Sequence, residues 1–394
     1  MPSKPLRHSE PRSDDVPIGG ATADAIAVGG GLAGSAFALE LARHGVSTMV
    51  FERMRGPHHK VCGEFLSDRA QALLHYLGVD VAALGGSPVE TLCLSSGATR
   101  ASARLPFEAV GISRLLLDET LLQAAERAGA KIYRATSVER LEARVQRVRV
   151  QTAGASFECR AAALASGKHN IRGLPRPDAP MVGFKMHLHT AKAARASLMR
   201  MVHLIAFTGG YLGLCLIENG TLSIAWIVSA AVLTSIGTSW AAQSAYFARQ
   251  SPFFEELTTG ATPAWEKPLA VAGLPYGFMR SATIAETIYP VGDQLAVIPS
   301  FSGDGTALAL ASGIAAAQAV LNGESASSFQ RRMLANYKPQ FRRALILDRV
   351  IADARLRRAG IVGARLFPSI VTMLVSATRL SGLDRLITSA DART

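Results

Sequence analysis

Three glycines in one short turn are the residues of this chain best placed to do chemistry. Gly29, Gly31 and Gly34 stand in G-x-G-x-x-G spacing between an apolar run, Ala25 to Val28, and a small-residue stretch from Leu32 and Ala33 to His44. The first glycine permits a tight turn, the second lets the backbone approach a pyrophosphate, and the third lets a helix pack closely on a strand. The helix that follows offers free N–H groups and a partial positive charge to phosphate. A second apolar run, Val46 to Phe51, ends in Glu52, which can accept hydrogen bonds from ribose hydroxyls, and Arg53 lies beside it. Strand, turn, helix, strand and acid in this order predict a dinucleotide-binding unit.

A second glycine-bearing loop lies far along the chain. Val291-Gly292-Asp293-Gln294 precedes an apolar run to Ile298; Pro299 follows, and Gly303-Asp304-Gly305-Thr306 opens an Ala/Leu helix to about Leu321. Asp293, at a strand-to-loop turn, is suited to accept hydrogen bonds from ribityl hydroxyls. The helix start would aim N–H groups at the N1–C2=O edge of a flavin, where reduction places negative charge. A helix N-terminus favours such charge by ~0.3–1 kcal/mol. The two loops together predict FAD.

These loops need elements to bring them together. With 394 residues, 49% of them hydrophobic, the chain can bury a large core, and two interleaved domains are expected. Helices are predicted over Ser67 to Leu77 and Ile112 to Ala128, and a short strand over Lys131 to Tyr133. Arg140 to Thr152 and Ser156 to Leu164 read as a hairpin around Gly154, with a glycine turn at Ala165-Ser166-Gly167. From Met181 the pattern changes to consecutive strands, which predict an antiparallel sheet. Residues 235–257 read as helical and Gln294 to Ile298 as a strand. The expected fold is therefore α/β. A Rossmann-like FAD-binding domain (23–88, 106–180 and 281–325) is interrupted by an antiparallel substrate domain (89–105 and 181–280). A disordered leader (1–22) precedes it and a C-terminal helical region (326–394) follows.

At this point the chain resembles a known group, the FAD-dependent oxidoreductases of the p-hydroxybenzoate hydroxylase-like fold, and within it the geranylgeranyl reductase-type branch. The resemblance covers roughly residues 24–325. It rests on Gly29/Gly31/Gly34 with Glu52, on Lys60-Val61-Cys62-Gly63-Glu64, on Ile112-Ser113-Arg114, and on Gly292-Asp293 with Pro299 and Gly303-Asp304-Gly305. The resemblance implies that the loop carrying Lys60, Cys62 and Gly63 runs beside the isoalloxazine and that Arg114 lies near the FAD. It also implies that NAD(P)H, if used, serves as a transient electron donor without a second Rossmann domain. The isoprenoid-pocket motif Y-x-W-x-F-P is represented by Tyr211-Leu212-Gly213-Leu214-Cys215-Leu216, which keeps only the tyrosine. The halogenase motif W-x-W-x-I-P has no counterpart around Trp226, Trp240 or Trp265, which argues against halogenation.

Among candidate catalytic groups Cys62 stands first. In a flavin-facing loop a thiol can donate a proton to a substrate carbanion; equally, a lone cysteine can be a small buried hydrophobe. Glu64 reads as a solvated loop carboxylate. His187 and His189 alternate along a strand and share one face, which makes them, with Tyr211, candidates for the substrate pocket. Two histidines without a third ligand make a poor metal site, and no metal is expected. The expected activity is oxidation or reduction of a hydrophobic small molecule of the polyketide, isoprenoid or aromatic type, as in secondary metabolism. It would proceed by NAD(P)H-driven monooxygenation or by hydride transfer from reduced flavin to an alkene. The alternative is a membrane-surface electron carrier without its own small-molecule turnover.

Cysteines at 62, 93, 159 and 215 form no C-x-x-C pair, which points to a reducing, cytoplasmic compartment. The net charge of +12 is concentrated at the end: residues 331–394 hold thirteen Arg/Lys and four Asp/Glu. The same region is apolar in stretches, yet few of its residues are aromatic, so nucleic acid is not expected. It either lies against the inner face of an anionic membrane or caps the fold with a solvated basic face.

Overall fold

The computed structural model describes residues 22–190 and 192–380. Most of the expected leader and the last fourteen residues of the tail lie outside the described residues. Two sheets carry the molecule. In the first, the parallel strands run in the order Lys131–Tyr133, Thr48–Phe51, Thr22–Val28, Ser156–Leu164 and Ile288–Pro290. Register brings their carboxyl ends level: Val28 pairs with both Phe51 and Leu164, Phe51 with Tyr133, and Leu164 with Pro290. The loops leaving these ends therefore share one edge, which is where open α/β sheets bind ligands.

Helices Leu32–Arg43 and Gly305–Leu321 cross on one face of this sheet. Their approach is so close that a Cβ at Gly313 would stand 2.3 Å from the Ala33 carbonyl oxygen. Helix Arg114–Arg127 packs beside them, its first turn capped by Ser113, whose hydroxyl accepts the Leu116 N–H at 3.2 Å. The other face is covered by an antiparallel meander. Here the structure corrects the sequence reading. The expected strand from Arg140 to Thr152 is two strands, Val138–Arg144 and Arg147–Thr152, joined by a tight turn at Val145-Gln146. That turn contains no Gly, Pro or Asn, so nothing in its composition interrupts the alternating pattern.

The second sheet has nine strands. From one edge it runs Thr262–Pro263, Met181–His189, Thr221–Ser229, Gly210–Leu216, Arg200–Phe207, Ser87–Ser96, Thr99–Gly111 and Phe65–Leu66, with Leu269–Ala272 also pairing with Met181–His189. It is antiparallel except where Arg200–Phe207 runs parallel to Ser87–Ser96. The even-numbered residues Phe184, Met186, Leu212, Leu214, Ile224 and Trp226 face three helices, Ala230–Ile236, Trp240–Gln250 and Pro252–Thr258. Those three replace the single helical stretch expected over 235–257.

The other sheet face meets the first domain. Farther along, beneath Thr99–Gly111, it is covered by the C-terminal helices Ala354–Leu366 and Pro368–Ala377 through Ile361, Ala364 and Val371. Gln294 to Ile298 is not a strand. Ile288–Pro290 takes the place in the sheet, Gly292–Gln294 forms a 3-10 turn, and the following run is buried outside the sheet, tied by backbone hydrogen bonds of Leu295 and Val297 to Gly277, Phe278 and Arg280. A short apolar run can be buried without joining a sheet.

Candidate active site

The glycine turn has the geometry its spacing implies. Gly29 has φ +113°, and a Cβ there would lie 2.5 Å from the Ala165 carbonyl oxygen. A Cβ on Gly34 would stand 1.9 Å from the Gly29 carbonyl oxygen, so helix and strand could not close. Gly31 differs. Its Cβ would meet only the Lys60 ammonium, at 3.3 Å, and Arg114 Nη2, at 3.9 Å. The space that Gly31 leaves open is bounded by two cations at a helix N-terminus. Leu32 and Ala33 are buried in the first turn, so their side chains serve packing while their N–H groups face the turn.

One carboxylate holds both cations. Asp118 takes a two-pronged bond from Arg114 (Nε at 2.6 Å, Nη2 at 2.9 Å) and an ion pair from Lys60 at 2.8 Å. Burial pushes the Asp118 carboxyl up, but Arg114 and then Lys60 outweigh it and hold it at about 2. One negative charge between two positive ones leaves a surplus cation for phosphate. The adjoining cleft is lined by Gly30, Glu52, Pro57, Leu115 and Arg134. Glu52 is buried; its oxygens accept the Gly30 N–H and the Met54 N–H, both at 2.9 Å, and the carboxylate faces this cleft. Arg53 is exposed at the same edge. Cleft, open glycine and cation pair fit the adenosine and pyrophosphate of FAD.

At the other end, Asp293 pairs with Lys168 at 3.2 Å, while Arg176 donates to its backbone oxygen at 3.0 Å. Burial raises the Asp293 carboxyl, and Lys168 more than offsets this, so it lies below the usual range. Gly292 donates its N–H to Ser312 Oγ at 2.9 Å, and the Gln294 amide binds the carbonyls of Gly167 and His169. Two loops remote in sequence are thereby tied together. Buried Pro299 leads into Ser300, whose hydroxyl bonds to both Tyr211 and Tyr276, and Phe301 donates its N–H to Tyr211 Oη at 3.0 Å. Gly303 has φ +73° and lies against the Phe65 ring, Gly305 faces open space, and Thr306 is buried in the first turn. Asp304 needs correcting as a cofactor ligand through its side chain. That carboxylate turns inward, accepting the Leu380 N–H at 2.9 Å and the Ser67 hydroxyl at 3.3 Å.

Between these ends runs the loop bearing Cys62. Cys62 is partly buried, and its sulfur accepts the Glu64 N–H at 3.5 Å; the Arg114 side chain also bonds to it. Gly63 is exposed, and its carbonyl accepts the Cys215 thiol at 3.5 Å.

Glu64 overturns the expectation of a solvated carboxylate. It is fully buried with φ +57°, pairs with the buried Lys185 ammonium, accepts His187 Nε2 at 2.7 Å and accepts the Arg114 N–H at 2.8 Å. The His59 ring meets His187 edge-on and Trp265 at a tilt. His59, Glu64 and His187 offer ligand atoms within 4.8 Å of one another, but Lys185 already supplies a cation to that carboxylate. His187 is therefore locked to Glu64, and His189 lies exposed at the strand end; the structure does not bring the pair together.

Several of these partners went unnoticed in the sequence. Asp118 follows Arg114 by one helical turn, a spacing that favours pairing. Lys185 shares the two-residue alternation that singled out His187. Lys168, Tyr276 and Ser300 carry no local signal.

The sequence profile of a family described as an FAD binding domain matches residues 22–162. Menaquinone reductases from two strains of Mycobacterium tuberculosis (CDC 1551 and H37Rv) are 34% identical over 116 residues, covering 28% of this chain and 28% of theirs. The match thus spans under a third of these curated relatives. A flavin-dependent brominase superposes with a TM-score of 0.74 at 15% identity, over 94% of this chain and 98% of its own. The myxobacterial chondrochloren halogenase gives 0.71 at 19%, over 94% and 96%. A flavoprotein/dehydrogenase from Cytophaga hutchinsonii gives 0.70 at 18%, over 84% and 87%. At such identities the likeness concerns the fold.

Proposed function

We propose that the chain, whose residues 22–162 match a family described as an FAD binding domain and whose fold is like that of flavin-dependent halogenases, is an FAD-dependent oxidoreductase that turns over a hydrophobic small molecule between the Cys62 loop and the second sheet. On the sheet face toward that loop, Gly213, Ser223 and Ala225 are small residues. Tyr211, Ile227 and Leu274 form an apolar cluster on the same face, joined by Tyr276 and Phe301. Such a surface suits an isoprenoid, polyketide or aromatic compound.

Bound FAD would supply the redox chemistry, with NAD(P)H as its transient electron donor. Lys60 and Arg114 would hold its pyrophosphate, Glu52 its adenosine ribose, and Asp293 its ribityl chain.

The observation that carries the reductive branch is Cys62, a partly buried thiol bonded to Arg114 and held in the loop between both cofactor ends. Reduction of an alkene places a hydride on one carbon and a proton on its neighbour, and Cys62 Sγ would supply that proton. The relatives named menaquinone reductase support a quinone-type substrate for this branch. Monooxygenation is the second reading. It is supported by the likeness to a halogenase crystallised with phloroglucinol and FAD (TM-score 0.68, 15% identity).

The test is to incubate FAD-loaded protein with NADPH and a short-tailed menaquinone, with and without air, and weigh the products. A gain of two hydrogens without air that survives reoxidation of any quinol to quinone, and is lost in Cys62→Ala, supports alkene reduction with Cys62 as the proton donor. A gain of oxygen only in air supports monooxygenation. Bleaching of the flavin with no product in either case overturns small-molecule turnover and leaves the electron-carrier alternative.

A further inference from the structure

The surface of the C-terminal helices carries two opposed demands. Their inner faces are fixed: Ile361, Ala364 and Val371 are buried against the second sheet. Arg357, also buried, donates to Ser96 Oγ at 2.9 Å and to the Ile351 carbonyl at 2.8 Å. Their outer faces are apolar. Of the eleven large hydrophobics exposed among the described residues, eight lie between positions 346 and 374. Leu366, Phe367 and Met373 are 68%, 61% and 62% exposed, at the corner where helix Ala354–Leu366 turns by 114° into Pro368–Ala377. Ile370, Met373 and Leu374 recur at helical spacing on Pro368–Ala377, and Leu366 and Phe367 stand exposed at the bend beside them. Soluble surfaces rarely keep such residues together without a partner.

Charge indicates what the partner is. Helix Pro368–Ala377 contains no charged residue, and Ala354–Leu366 contains four arginines and no acid. Arg355, Arg358 and Arg365 are exposed and form no ion pair among the described residues. An apolar corner ringed by unpaired arginines is complementary to a bilayer surface with anionic headgroups: the side chains enter the acyl boundary while the guanidiniums stay at phosphate level. Spanning is not available. Among the described residues no single helix is long and apolar enough, and the pair is sharply bent; its inner face is also committed to the sheet.

We propose that the corner around Leu366–Met373 docks the protein on the surface of an anionic bilayer. The position has a consequence that rests on the proposed function. The preceding helix, Ala326–Ala352, reaches the apolar pocket wall: Ile351 packs against the cluster of Tyr211, Ile227 and Leu274, and Leu345 lies against Gly277. Docking would thus set the substrate face beside the lipid phase from which a hydrophobic compound partitions.

The full chain is mixed with vesicles of phosphatidylcholine alone and with added phosphatidylglycerol, and sedimented. Binding is expected only to the anionic vesicles, weakened by salt. The triple variant Leu366→Gln, Phe367→Gln, Met373→Gln should reduce it about tenfold or more while keeping the wild-type melting curve. A second variant, Arg355→Gln with Arg358→Gln and Arg365→Gln, should lose the lipid selectivity and leave the apolar face untouched, guarding against misfolding of the first. Absence of binding to anionic vesicles overturns the proposal. So does a wild-type dimer that the triple variant converts to monomer, because the corner would then be covered by a second copy. Neither result bears on the small-molecule turnover, which the product assay decides separately.

Discussion

Glu64 has more structural consequence than its place in a loop suggests. Its carboxylate is buried against a buried lysine and a buried histidine. Burial alone would raise its pKa, but the His187 hydrogen bond and the Lys185 charge hold it at about 2 instead of the usual 4.5. Such a pair resists the loss of one member, because the other is left charged and dry. Glu64→Gln should therefore cost ~3–5 kcal/mol in urea unfolding, whereas Glu64→Leu with Lys185→Met should recover most of that. The same cluster sets the acid response. His59 is lowered from 6.5 to about 4, first by burial and then by the charges of Lys185 and His187. Between those values the unfolded chain binds a proton that the folded one refuses, so stability is complete above 6.5 and falls as pH drops through about 4. Glu64 acts lower: its contribution is complete above 4.5 and is lost as pH falls through about 2. Unfolding free energies taken along this range should show that His59→Phe flattens the upper window and leaves the lower one intact. Unchanged slope in the upper window would remove His59 from the acid response.

At the level of elements, the glycine turn separates two demands that one motif combines. Gly34 is a packing position, since its Cβ would overlap the Gly29 carbonyl at 1.9 Å; Gly31 is a space-keeping position whose Cβ would meet only movable side-chain ends. Gly34→Ala should therefore destabilise the fold by several kcal/mol, on the order of 3 or more. Gly31→Ala should unfold like wild type yet lose most of its FAD, read as the absorbance of the purified protein. Equal stability of the two would show that the helix can shift to accommodate a methyl group. This turn was legible from sequence because each glycine answers a local constraint. The same holds for Lys131–Tyr133 and for helix Arg114–Arg127, where a serine cap and a leucine face coincide. What escaped notice depends on distant partners. Val145-Gln146 turns without a turn residue, and Ile288–Pro290 is too short to show a period. Glu64 looks exposed until the strand holding Lys185 and His187 is laid against its loop.

On the scale of the whole molecule, the candidate cofactor site belongs to no single stretch of chain. The turn at Gly29–Gly31, the loop from Glu52 to Glu64, the lysine at 168 and the segment from Gly292 to Thr306 converge only because five strand ends are level. Several of their charges are matched with one another: Lys60 and Arg114 on Asp118, Lys168 on Asp293. The Cys62 loop also joins both sheets, since it ends in Phe65–Leu66, a strand of the second. A ligand gripping these loops together binds the folded chain and has no counterpart in the unfolded one. Its binding energy therefore adds to folding energy by mass action, ~2.7 kcal/mol when FAD is present at about one hundred times its Kd. In a chain of this size that amounts to a rise of roughly a few degrees in the thermal midpoint. The rise should grow with the logarithm of FAD concentration, be absent with riboflavin, which lacks the pyrophosphate, and be lost in Gly31→Ala. Limited proteolysis should register the same event as protection of the 52–64 and 166–170 loops together, although they are far apart in sequence. Protection of one loop without the other would mean that FAD is held at one end only and that the second glycine-bearing segment serves the core.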